Sequence, residues 1–504
     1  MDTLTELEST LSAWWEARAE IRAEDAAGKD TQGGWVALAK RFPAFAHTDS
    51  SSAVREAARS KRTLESMRPL WTALAPELDL AVVEAAAASS LEALDSASRT
   101  TEVALGSEIF LLRQADALQF TEPTQARRAS LFRAASEARL ELRGHYARAL
   151  ETQALAAQRL EAGSAQVWRQ GFRPDAAKDA VRVSATNFLK QTEDAYRELL
   201  GYVLKQLEPT LRPLPEGSAT FADVLRAGTT PWLNRHLPPD RAISETQTWL
   251  SRWEFHPTAN GRLRVLEAES DAALALCISP VRVPGLIRLG LRSNAGGVEG
   301  FFRVLAGYGE AMRWAHMAAD APVEARLLGD ATVAQAHGLA WSLLLTSETW
   351  YRLERGATRA QAKEVARAGA WALLAKVRAA CAIRILQEDV ETSGLSMDRT
   401  QALADSLTDA LRVRVHPGEA LNQLGQPLRA DDPCVAWDVG EALHAQLEGT
   451  LNEDFFRNPA ARRWLQTQWQ AARPDATRDV LAVSGRTGFA LEPLGARLVR
   501  VLGA

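Results

Sequence analysis

Residues 277–341 read CISPVRVPGLIRLGLRSNAGGVEGFFRVLAGYGEAMRWAHMAADAPVEARLLGDATVAQAHGLAW, and a change of pattern inside this stretch decides the fold. Its opening is extended in character. Pro280 and Pro284 suit an edge strand, because proline offers no N–H to a neighbouring strand. Leu286 to Arg292 (LIRLGLR) then mixes apolar and charged residues in rough alternation, as a strand does. Upstream, Arg262 to Glu267 (RLRVLE) follows an Asn260-Gly261 turn and reads as a further strand. Gly296-Gly297 marks a turn, and beyond it helical spacing persists nearly to the end of the chain. The stretch therefore predicts a small sheet set against the start of a long helical region.

Working outward, Ala, Leu, Arg and Glu crowd the sequence while Gly (31) and Pro (21) stay modest, which favours helices. Leu4, Leu7, Leu11, Trp14, Ala17 and Ile21 recur at helical spacing and predict one amphipathic helix over the first twenty or so residues. The longest predicted helix runs from Thr124 to about Ala162, with Gly163 as its stop. Six prolines between Leu207 and Ser244 predict short helices and turns there. The expected organisation is mainly α: a helical lobe over 1–206, a Pro-rich connecting segment over 207–255, and a core lobe with the small sheet over 256–504.

Composition narrows the function. With 504 residues, 46% hydrophobic and 24% charged, the chain can bury a large core. Lys and Arg total 59 against 63 Asp and Glu, so no basic excess points to nucleic acid. Cys277, Cys381 and Cys434 lie far apart and form neither a disulfide framework nor a cysteine-rich zinc site. The start, MDTLTELEST, lacks the basic and apolar regions of a secretory signal. The most apolar run, AGAWALLAKVRAACAIRIL, is interrupted by Lys376, Arg378 and Arg384, so no membrane span is expected. A cytoplasmic protein without a membrane or nucleic-acid partner is the expectation.

The order of features in 277–341 resembles the core of the oligoendopeptidase F-like metallopeptidases, gluzincins of the thimet-oligopeptidase type. Val281 to Pro284 match that family's edge strand, Gly296-Gly297 its turn, and Leu328-Gly329-Asp330 the segment before its second site helix. The C-terminal stretches NEDFFRNPAARRWLQTQW and GFALEPLGARLV are similar to the family's tail. The resemblance implies a two-lobed, zincin-like helical fold with a small β-sheet beside the active-site helix. It also implies two histidines four apart holding zinc, a glutamate polarising the metal-bound water, and a second glutamate as third ligand.

Aligned without gaps, those four places carry Ala306, Gly307, Glu310 and Gln335. A methyl group cannot ligate, glycine has no side chain to act as a base, and a neutral amide is a poor zinc ligand. The eight histidines are His47, His145, His236, His256, His316, His337, His416 and His444, so H-E-x-x-H occurs in no register. The chain is thus a degenerate member on this resemblance, with no catalytic residue at those places and neither zinc nor another cofactor expected. A site rebuilt from Glu310, His316 and His337 is the alternative. Gly307, an added glycine in a helix, either makes room for a neighbour or lets Tyr308 or Arg313 enter the vacated pocket.

Other motifs carry less. Gly307-Tyr308-Gly309 lacks the further glycines of a phosphate loop, Ser279 and Ser484 lack a G-x-S-x-G elbow, and Cys434 with His416 or His444 lacks signs of an activated thiol. Three functions remain. The first is an inactive pseudopeptidase that binds a peptide or partner protein, such as an active peptidase paralogue, as a regulatory or scaffold subunit. Its groove would involve Leu286, Leu289, Leu291, Tyr308, His316 and His337, with the strand pairing an extended peptide. The second is an active metallopeptidase with a rearranged zinc site, and the third a purely structural component.

Overall fold

The computed structural model describes residues 2–60, 65, 68–160, 163, 178–214, 217–267, 276–292, 296–321, 326, 331–425, 432–470, 480–482, 485–486 and 488–503. Leu328 to Asp330 and Ser484, singled out from sequence, lie outside them. The first half of the chain contains α1 (Asp2–Ala26), α2 (Gly34–Arg41), α3 (Asp49–Arg59), α4 (Arg68–Thr100), a hairpin of β1 (Glu102–Leu105) and β2 (Glu108–Leu111), α5 (Leu112–Thr121), α6 (Gln125–Glu141), α7 (Arg143–Gln158), α8 (Lys178–Gln191) and α9 (Glu193–Leu207). Then come α10 (Phe221–Gly228), α11 (Ala242–Arg252), β3 (Leu263–Glu267), β4 (Leu276–Arg282), β5 (Leu286–Leu291), α12 (Gly297–Ala315) and α13 (Ala331–Ser342). The chain closes with α14 (Glu348–Arg355), α15 (Arg359–Ser393), α16 (Met397–Leu411), α17 (Pro417–Leu424), α18 (Pro433–Leu451), α19 (Pro459–Trp469) and α20 (Glu492–Leu502). The fold is mainly helical with a small sheet, and the three strands near 260–292 fall where their patterns predict. None of the described helices is long and apolar enough to cross a membrane.

Local signals account for several boundaries. Thr358 and Gln361 exchange side chain and backbone bonds at the start of α15, satisfying two N–H groups that the helix cannot use internally. Asp432 accepts from the N–H groups of Cys434 and Val435, with Pro433 in the first turn of α18. The helix expected from Thr124 to about Ala162, whose last two residues lie outside the described ones, is two helices instead, parted at Leu142. Gly144 is a weak helix former placed just where the second one starts, and it weakens continuity there.

At the junction into α12 the turn needs its glycines. Gly296 and Gly297 have φ of 72° and 51°, and a Cβ on Gly297 would lie 1.6 Å from the Thr229 carbonyl oxygen. Seventeen residues of α12 are buried, so it runs through the interior rather than along a surface.

The strand order is β3-β5-β4, with β3 parallel and β4 antiparallel to β5. Register pairs Val265 and Ile278 with Leu289, placing Ile287, Leu289 and Leu291 on the buried face toward α12. β5 is the middle strand. Both its edges are taken up, which corrects the expectation that Leu286 to Arg292 could pair with a peptide through its backbone. α1 packs along β4 and only lightly touches β5, tied by Glu16 to Arg282 (3.2 Å) and by Glu20 to Arg288 (2.6 Å). One apolar core extends from Leu11 in α1 to Leu502 in α20, and a smaller one around Val103, Leu112 and Leu131 supports the hairpin.

Candidate functional site

α12 and α13 carry Ala306, Gly307, Glu310 and Gln335, the positions picked out by the resemblance, and press closely together. A Cβ on Gly338 would come within 2.3 Å of the Ala306 carbonyl oxygen, and one on Gly309 within 2.7 Å of the His337 carbonyl oxygen. Two glycines at facing positions bring the helix backbones into contact, which larger side chains would prevent. Ala306 and Glu310, four residues apart, share a face of α12. Gln335 projects from α13.

Gly307 points at the sheet. A Cβ there would meet Leu289 Cδ1 at 2.8 Å, Leu276 Cδ1 at 2.9 Å and Leu291 Cδ2 at 3.4 Å. Of the two readings open from sequence, the first holds: the glycine accommodates neighbouring side chains. Tyr308 is fully buried and turned to α11, where its hydroxyl accepts from Gln247 Nε2 at 2.8 Å.

The remaining sequence candidates separate into two groups. His316 and His337 both pack against the Trp469 ring. Trp469 Nε1 donates to His337 Nδ1 at 3.2 Å, and His316 Nδ1 bonds the Met312 carbonyl at 2.9 Å. Burial pushes the His316 imidazole below its ordinary pKa. Glu310 instead acts electrostatically on Cys277 of β4, whose thiol is pushed up mainly by burial. Leu289 and Leu291 are buried between sheet and helix, while Leu286 is half-buried on the other face. The six groove candidates therefore do not line one common surface.

A methyl, one carboxylate and one neutral amide at 306, 310 and 335 do not fit a zinc ion as ligands. Among the described residues no three His, Cys, Asp or Glu side chains converge as a metal site.

Open space lies on the other side of α12. A cavity of about 380 Å³ is bounded by α5, α10, α12, α13, α15, α17 and α18, within the range of small-ligand pockets. Phe302, Trp371 and Trp437 provide aromatic walls, with Trp437 stacked on Phe302 at 6.2 Å. Glu299, Gln335 and Lys376 bring polar atoms to it. Lys376 Nζ is 2.7 Å from Glu299 Oε2 and lies over the Phe302 ring at 4.5 Å, while Arg303 Nε is 2.8 Å from Glu299 Oε1. Burial alone would raise the Glu299 carboxyl, but Lys376 and Arg303 outweigh it and hold it at about 2.

Of these residues only Gln335 was a sequence candidate. The signal for Lys376 was present: a lone ammonium in the apolar run AWALLAKVRAACAI, read only as an interruption. Nothing in the sequence links it with Glu299 or Trp437, which are far away along the chain.

Comparison with solved structures places this architecture. The chain superposes on an oligoendopeptidase F structure from Bacillus anthracis str. Ames with a TM-score of 0.56 at 12% identity, covering 90% of this chain and 81% of that one. PZ peptidase A with inhibitor gives 0.59 at 11% identity, over 90% and 83%. A peptidase structure from Chlamydophila abortus gives 0.54 at 12% identity, over 99% and 90%. The chain has the oligoendopeptidase F fold. Its sequence matches no family profile and no curated protein.

Proposed function

We propose that this chain is a non-hydrolytic protein of the oligoendopeptidase fold, acting in the cytoplasm as a regulatory or scaffold subunit. It holds a peptide, or a terminal segment of a partner protein, in the cavity beside α12. A peptidase paralogue that keeps its zinc ligands is one such partner. The reading rests chiefly on one observation. The direction in which a general-base side chain would leave position 307 is held by Leu276, Leu289 and Leu291. Water activation needs a carboxylate at that point and a metal beside it. The donors at 306, 310 and 335 supply neither in usable form. Binding needs only shape and a few polar groups, and the cavity offers both.

Purification without chelator, followed by elemental analysis and incubation with quenched fluorescent oligopeptides, tests the reading. The expected result is zinc well below one equivalent and no hydrolysis above a buffer control. One equivalent of retained zinc, lost on Glu310→Gln or His337→Ala together with peptide cleavage, would overturn it.

A further inference from the structure

We infer that the cavity receives the carboxyl-terminal residue of a peptide, one with a free α-carboxylate and a large apolar or aromatic side chain. This rests on the binding function proposed above and specifies its ligand. Three features of the wall select that chemistry.

The first is charge. Glu299 carries one negative charge, shared between the two positive charges of Arg303 and Lys376. Arg303 does not line the cavity; it lies behind the wall residue Phe120, over its ring, and reaches toward the Arg292 carbonyl. Lys376 keeps 30% of its side chain exposed and has three donors, of which Glu299 uses one in the structure. Arg384, the other cation on the wall, is matched by Asp432 and Glu388. The surplus of positive charge therefore sits at Lys376, where an anion is favoured.

The second is an unused polar group. Gln335 Oε1 is shielded from solvent and has no hydrogen-bond partner among the described residues. A shielded amide oxygen left unpaired is unfavourable, and an incoming N–H relieves it. A peptide's last residue brings such an N–H two bonds from its carboxylate carbon. Gln335 and Lys376 line the same cavity, so one residue of ligand can address both.

The third is the apolar wall. Phe302, Trp371 and Trp437 face the space together with small alanines of α15, among them Ala375 and Ala379. Alanines leave the volume, and the rings supply flat contact surface for an aromatic or branched side chain. A free amine terminus is disfavoured next to Lys376 by like charge, which gives the site a polarity.

Calorimetric titration of the full chain distinguishes the possibilities with three probes: acetyl-Ala-Ala-Phe with a free carboxylate, the same peptide as its C-terminal amide, and acetyl-Ala-Ala-Asp with a free carboxylate. The free-acid Phe peptide should bind saturably, and the other two at least about tenfold more weakly. Lys376→Met should weaken the free-acid peptide about tenfold and leave the amide unchanged, with an unaltered circular dichroism spectrum showing that the fold persists. Ala379→Trp, which fills the space, should abolish binding of both. Equal binding of acid and amide would overturn the inference and leave the proposed peptide binding standing. Saturable binding that Ala379→Trp does not affect would overturn the placement in this cavity. Absence of binding by all three peptides would overturn the inference and count against peptide binding itself.

Discussion

The sheet-facing side of α12 is packed solid around Gly307, whereas its other side looks onto 380 Å³ of space past Phe302. Both lie along one helix, yet they differ in what lines them. Leucines from β4 and β5 close the first, and such closure is favourable because every added contact brings dispersion and removes apolar area from water. The second has Glu299, Lys376 and Gln335 on its wall. Filling it with apolar side chains would strand those polar groups, at a cost comparable to what the packing would return. A gap lined by hydrocarbon closes. One lined partly by charge stays open for a polar occupant.

The contrast can be broken most directly at Leu289, which is fully buried. Leu289→Ala should cost about 3 kcal/mol, within the range for leucine truncations in cores, read as a lower midpoint in chemical denaturation. A loss under about 1 kcal/mol would mean the sheet side is not tightly packed.

The cavity side is probed by acid. Glu299 falls from an ordinary value of 4.5 to about 2 in the folded chain. A carboxyl depressed in this way adds stability that is complete above the unfolded value and is lost as pH falls toward about 2. At pH 7 this linkage is of the order of 3 kcal/mol. Glu299→Gln should lower stability by a comparable amount at neutral pH, and the difference should vanish near pH 2. A constant difference across that window would show that the ion pairs with Lys376 and Arg303 do not stabilise the cavity wall.

A smaller effect sharpens the comparison. Gly307→Ala gains about 1 kcal/mol of helix propensity but forces a methyl against Leu276 and Leu289. A net loss of about 1–2 kcal/mol is expected from overpacking. Combined with Leu289→Ala, which vacates the contact, the loss should be less than additive in a double-mutant cycle.

How much of this the sequence disclosed follows from the range of each signal. The strands and the glycine junction were readable because turn chemistry and period-two alternation are local, as at Asn260-Gly261 and Leu286–Leu291. α1 was readable from the spacing of Leu7, Leu11 and Trp14. The break at Leu142 was missed because apolar periodicity continues through it. That β5 lies in the middle of the sheet depends on β3 and β4 taking opposite sides of it, which no alternation encodes. At the candidate site, positions 306, 307, 310 and 335 could be named from the resemblance alone. What fills the space at Gly307 could not, because Leu276 and Leu289 reach it from other strands. The cavity was invisible for the same reason, being assembled from seven helices separated along the chain.

The docking of α1 along β4 carries a consequence for life in a crowded solution. An outer strand with idle backbone groups invites lateral growth by a second molecule, the first step toward fibrils. By lying along β4, with Glu16 clasping Arg282, the opening helix acts as a gatekeeper against such growth, so proteolytic clipping near Gly28 is expected to expose that strand and promote aggregation.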